Sequence, residues 1–138
     1  MHILLVHQLL LRTDEAGMTQ HFEFARHLVH AGHRVTILAG TRSYLTGTDR
    51  SPEPSPEPAL EILRCGVWGR THQSFAQRTL GFLSFMVTSF VRGLRLREVD
   101  VVWSTSPPLP QVCTAWALAA VKRVPLIFEV RDLWPAVA

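Results

Sequence analysis

Cysteine is scarce: Cys65 and Cys113 are the only two in 138 residues, and they fall in different expected elements. A disulfide framework and a cysteine-held metal are excluded, and the pattern fits a reducing compartment. Lysine is scarcer still, with Lys122 alone against thirteen arginines and no basic run longer than two residues. The net charge of +3 therefore does not argue for nucleic acid. It suits an anionic ligand or membrane surface, because a planar guanidinium bonds phosphate and carboxylate bidentately. His21, His27, His30 and His33 have no carboxylate or cysteine beside them at ligand spacing, so no metal is expected. Long hydrophobic runs are missing as well. The uncharged stretch Thr79–Val91 is thirteen residues, short of the roughly 20 needed to cross a bilayer. The opening MHILLVHQLLLR has neither a basic leader nor a small-residue cleavage site, and reads as a first strand. The glycine fingerprint of a dinucleotide site is absent too. Only Gly17 stands in the loop that follows this strand, which excludes a tight nicotinamide or flavin site.

What is present is a globular pattern, 47% hydrophobic and 18% charged, with length for one core of ordinary size. Ile3–His7 is an apolar run. A helix is expected from about Gly17 to Ala31, with Met18, Phe22, Ala25, Leu28 and Val29 recurring at spacings of three and four. Gly32 supplies its left-handed stop, and the β-branched run from His33 to Ala39 is a second strand. Residues 46–59 hold the tandem SPEP-SPEP and predict a mobile, proline-rich surface loop. Leu60–Cys65 is a third strand, and residues 74–96 form the longest helix. On that helix Gln77, Gly81, Ser84, Thr88, Arg92 and Arg95 share one narrow face, and apolar residues cover most of the rest. One apolar stripe is expected to pack on the sheet, leaving a surplus that needs a second apolar partner. Residues 98–103 end a fourth strand at Ser104-Thr105-Ser106, prolines 107, 108 and 110 open a helix to about Lys122, and VPLIFEV is the fifth strand. Strands alternating with helices predict an α/β Rossmann-like, doubly wound parallel sheet of about five strands in a single domain, 1–138.

Ligands of such sheets sit outside the carboxyl ends of the strands. Those ends here are His7-Gln8, Gly40 with Arg42, Ser104–Ser106, and Glu129 with Arg131 and Asp132. Two explanations stay open for the last group: an ion pair of Arg131 with Glu129 or Asp132 that merely ends a strand, or the rim of a site. Gly17 is equally open, as a plain loop glycine or as a residue that brings helix N–H groups toward an anion.

Four segments, HILLVHQ, AGMTQHFEFARHLVHAGHRVTIL, DVVWSTSPPLPQ and VPLIFEVRDLWP, together resemble the amino-terminal domain of retaining glycosyltransferases with the GT-B fold. The likeness looks strongest to the bacterial group that builds surface polysaccharides on lipid carriers. It implies one half of a GT-B fold: an acceptor-side domain, with the donor-binding carboxy-terminal domain outside these residues and the domain inactive by itself. It implies a nucleotide sugar as donor substrate, no cofactor and no metal. The acceptor implied is a glycan or an undecaprenyl-diphosphate-linked sugar. By position, Gly17, Met18 and Gln20 fall in the family's glycine loop, where Met18 replaces a glycine and Gln20 a cation. Arg131-Asp132 falls where many relatives carry His-Asp. The resemblance makes Asp132 and Arg131 the candidate catalytic residues and Gly17, Met18, Gln20, His7, Ser106 and Glu129 the candidate substrate-binding ones.

It also gives the long helix a motive. An apolar surface at 75–97, with Phe82, Phe85 and Phe90 as contacts and Arg78, Arg92, Arg95 and Arg97 beside them, would rest on an anionic membrane, making the protein cytoplasmic and peripheral. Against this, the surplus stripe packs under neighbouring helices. If the chain is half of a split enzyme, a donor-domain partner chain is expected at edge strand 125–130. In either case the isolated chain is expected to self-associate through that exposed edge. A small nucleotide-binding module unrelated to sugar transfer is the competing class.

Overall fold

The computed structural model describes residues 1–11, 19–42, 47, 49, 54, 57–69 and 74–131. Its elements run β1 His2–Val6, α1 Gln20–His30, β2 Arg34–Gly40, β3 Leu60–Cys65, α2 Phe75–Arg95, β4 Val101–Thr105, α3 Gln111–Lys122 and β5 Leu126–Glu129. All strand pairs are parallel and the order is β3-β2-β1-β4-β5. This is the expected α/β Rossmann-like sheet, with helices on both faces.

Alternation along β1 sorts the core. Leu4 and Val6 join Val102, Phe85, Ala115 and Leu118 on the face covered by α2 and α3. Ile3 and Leu5 join Ile37, Val101, Phe22 and Ala25 on the face covered by α1. Both faces of β1 are buried, so the strand carries no polar alternation. The stop of α1 is a glycine device: Gly32, at φ 88°, donates its N–H to the Val29 carbonyl, and His33 donates to that of Leu28. Glu57 then ties the chain entering β3 back to α1, accepting from Arg26 at 3.0 Å and lying 3.3 Å from His30. Most of the proline-rich stretch 46–59 lies outside the described residues.

Helix α2 corrects one expectation. The residues it buries are Gly81, Ser84, Phe85, Ser89 and Gly93, so the small-residue side meets the sheet and α3. Ser84, Thr88 and Ser89 satisfy their hydroxyls on carbonyls one turn back, which lets them sit inside without orphaned donors. Phe85 is fully buried and Phe90 packs against the core, so neither is a surface contact as expected. The apolar side that stays outside is a stripe of Leu80, Leu83, Val87, Val91 and Leu94. Among the described residues no helix is long and apolar enough to cross a membrane.

Candidate functional site at the carboxyl rim of the sheet

The sheet reverses its winding between β1 and β4: from β1 the chain moves outward to β2 and β3, then returns to the other side for β4 and β5. A crevice at such a switch point, outside the strand ends, is where open α/β sheets hold ligands. Buried polar groups gather there. Gln111, the first residue of α3 and 1% exposed, accepts from the Gln8 N–H at 2.8 Å and donates to the Thr105 carbonyl. One side chain thus pins the end of β1 to the end of β4. Ser104 adds a bond from its Oγ to the Val6 carbonyl at 3.3 Å. Ser106 does the same for β5: its N–H donates to the Glu129 carbonyl at 3.0 Å and its Oγ accepts from the Arg131 N–H at 3.1 Å.

Register decides what faces what. Val6 lies opposite Ser104, and Thr105 opposite Glu129. One step past Val6, His7 therefore comes level with Thr105, two strands away from Glu129. Adjacent strands are spaced about 4.8 Å apart, so His7 and Glu129 begin about 10 Å apart, too far to touch. His21, in the first turn of α1, spans the gap. Its Nε2 lies 2.8 Å from Glu129 Oε2 and its Nδ1 3.2 Å from His7 Nε2. Its ring meets His7 edge-on at 4.5 Å between centroids and rests over Trp103 at 5.5 Å. The apolar parity of the strands explains the arrangement, since Ile3, Leu5 and Val101 mark the α1 side of the sheet. His7, Thr105 and Glu129 continue the same parity, which turns all three toward α1.

Burial controls the charges. His7 is 7% exposed and His21 2%. Burial, reinforced by the neighbouring His21 ring, which resists a second proton beside it, and by the Arg131 charge, pushes the His7 pKa down to about 3. Burial also lowers that of His21, outweighing the Glu129 hydrogen bond, and Arg131 acts in the same direction. Both imidazoles are therefore neutral at pH 7, and the contact with Glu129 is an N–H donated to a carboxylate rather than a full ion pair. Cys65 offers no nucleophile, its thiol being pushed up to about 12 by burial.

The structure thus brings together four of the expected site residues, His7, Ser106, Glu129 and Arg131. Gln20 is exposed at the start of α1 and stands outside the buried chain of bonds. Gly17, Met18 and Asp132 lie outside the described residues. Two participants, His21 and Gln111, were not expected. The fold adds what sequence spacing does not show: Glu129 joins His21 from 108 positions away in sequence. Among the described residues no group of three or more His, Cys, Asp or Glu is placed to hold a metal ion. A separate open depression of about 510 Å³ lies beyond β2 and β3, lined by Thr41, Arg42, Asp49 and residues 66–69. Its arginine is already bonded to Asp49 at 3.2 Å and to the Gly69 carbonyl, which leaves it little for a ligand.

Comparison with known proteins gives two findings. The family model of a glycosyl transferase 4-like domain matches residues 17–138. The crystal structure of the C-terminal domain of a hydrogenase from Pyrococcus furiosus is similar over 93% of this chain and 89% of that one, with a TM-score of 0.59 at 14% identity. A likeness at that identity speaks for the shared α/β fold alone. No curated protein matches the sequence.

Proposed function

The chain belongs to the glycosyl transferase 4-like domain family, and on that premise we propose that its switch-point rim holds a sugar acceptor. In this reading the domain is the acceptor side of a retaining GT-B glycosyltransferase of the bacterial surface-polysaccharide group. A nucleotide sugar is the donor, and no metal or other cofactor is required. The acceptor is a glycan or a lipid-diphosphate-linked sugar. The observation that carries this is the convergence of His7, Ser106, Glu129 and Arg131 on one end of the sheet at the point where winding reverses. Neutral imidazoles, a carboxylate and a hydroxyl suit sugar hydroxyls, and an arginine suits a diphosphate. Arg131 is the anion-binding candidate and Asp132 would orient the attacking hydroxyl. Gly17, Met18 and Gln20 are further acceptor-binding candidates in this reading.

Turnover in this reading needs donor-binding groups from elsewhere, in the same polypeptide or in a partner chain. If a partner supplies them, β5 is the natural contact, because it lies at the sheet edge with Ile127 and Val130 more than half exposed. The outer stripe of α2 supports placement at the inner face of the cell membrane. Arg78, Arg92, Arg95 and Arg97 are exposed around it, and no acidic residue occurs between 74 and 97.

Titrating the isotope-labelled chain with a farnesyl-diphosphate-linked hexose tests the reading. Amide signals of Gln8, Ser106 and Arg131 are expected to shift together, while NAD leaves them unmoved. Tight NAD binding at the same amides would replace the sugar reading with that of a nucleotide-binding module.

A further inference from the structure

Carboxylates only accept hydrogen bonds, and that fact propagates through the Glu129–His21–His7 chain. Ionised Glu129 at 2.8 Å requires the proton of neutral His21 to sit on Nε2. His21 Nδ1 is then a lone pair, and the 3.2 Å contact with His7 can be a hydrogen bond only if His7 Nε2 carries the hydrogen. His7 Nδ1 is left with a lone pair. That nitrogen is buried and has no hydrogen-bond partner, on a side chain that is 7% exposed. An unsatisfied buried acceptor is costly to keep, and a group left so in a folded chain calls for an explanation.

We propose that Glu129 is a positioning residue which, through His21, fixes the tautomer of His7 so that His7 Nδ1 accepts a hydrogen bond from a hydroxyl of the bound substrate. This rests on the sugar-docking reading above and adds to it a named atom and a polarity: at His7 the rim offers an acceptor for a hydroxyl, beside the cation that Arg131 offers a diphosphate. His21 is clamped between His7, Glu129 and Trp103, so its ring is held in place, and what has to give way to an arriving hydroxyl is the cover over the buried His7 Nδ1. Arg131 cooperates by disfavouring protonation of both rings, which would convert Nδ1 to a donor. No proton is transferred in this role. The residue orients a hydroxyl.

Nitrogen-15 spectra of the histidine rings in the full chain at neutral pH give a direct answer. The expected pattern is an unprotonated Nδ1 and protonated Nε2 on His7, with protonated Nε2 on His21. Glu129→Gln has the same shape but can turn an N–H₂ toward His21. It is expected to reverse or mix both tautomers, giving a protonated His7 Nδ1 signal with little change in the backbone spectrum. A protonated His7 Nδ1 in the unaltered chain, or tautomers indifferent to Glu129→Gln, overturns the proposal without reference to any ligand. Adding the farnesyl-diphosphate-linked hexose should move the His7 Nδ1 resonance toward the hydrogen-bonded range. If the Ser106 and Arg131 amides shift while Nδ1 does not, the acceptor role is wrong although sugar docks. If the tautomers are as expected and no rim amide responds, the sugar-docking reading fails, and the substrate role of Nδ1 fails with it.

Discussion

A single buried histidine makes the rim sensitive to acid, and the sign follows from linkage. His7 stays neutral in the folded chain down to about pH 3, whereas in the unfolded chain it takes up a proton near its ordinary value of about 6.5. Between those values the unfolded state binds more protons. The contribution of His7 is therefore complete above about pH 6.5 and is lost as pH falls toward 3, at about 1.4 kcal/mol per pH unit for the one group. His2 and His21, both lowered chiefly by burial, steepen the same limb. His7→Asn should flatten it by roughly the slope of one proton between about pH 4 and 6, read from urea unfolding. Parallel limbs in the two proteins would mean that His7 is solvated in the folded chain. The acid response was not legible in the sequence, although its residues in part were. The polarity of the strand ends marked His7, Ser106, Glu129 and Arg131, because charges at the end of an apolar run are conspicuous. The partner of Glu129 was not, because His21 sits 108 positions away and looks like one more polar residue of an amphipathic helix.

At the scale of elements, hydrophobic periodicity locates α2 well and orients it badly, for a physical reason. Its bounds, Phe75 to Arg95, are marked by the Ser74 cap, which accepts from the Gln77 N–H, and by the change to an extended chain at Leu96. Its facing is not marked, because apolar residues occupy most of the circumference and any orientation buries a stripe. Close approach decides instead, and the glycines record it. A Cβ on Gly81 would meet Val67 Cγ1 at 3.5 Å, an ordinary contact. One on Gly93 would lie 2.6 and 2.8 Å from the two methyls of Leu118, a fully buried residue, so the side chain or the helix must shift. Glycine in a helix interior costs about 1 kcal/mol against alanine. Gly81→Ala should therefore stabilise the chain by about 0.5–1 kcal/mol. Gly93→Ala should destabilise it by about 1 kcal/mol, since overpacking costs of roughly 1–3 kcal/mol exceed the propensity gain. Chemical denaturation of the two variants should give opposite signs. Two gains would show that the α2–α3 seam has slack. Strands were the easier case: β3 spans the expected residues, because a short apolar run bounded by a proline-rich stretch and a glycine admits little else.

For the whole molecule, topology places the rim and surface chemistry places the molecule. The strand order puts the winding reversal between β1 and β4, so the polar groups on those two strand ends face each other by construction. On another side, α2 turns Leu80, Leu83, Val87, Val91 and Leu94 outward along about 21 Å of helix. A stripe of this length is not left in water without consequence. Leu83, Val87 and Val91 are 53%, 62% and 43% exposed, so changing them to serine removes outer surface and leaves the core intact. If the stripe rests on an anionic bilayer, each of the three contributes roughly 1 kcal/mol of apolar transfer. The triple variant should then lose about a hundredfold in affinity for anionic vesicles by flotation. Added salt should weaken the unaltered chain as well, because the exposed arginines 78, 92, 95 and 97 act through a screened field. The serine variant in high salt should lose both contributions. Unchanged flotation in a folded variant removes the membrane from the account. If light scattering then shows a dimer that the same substitutions dissociate, the stripe is covered by a second copy of the chain.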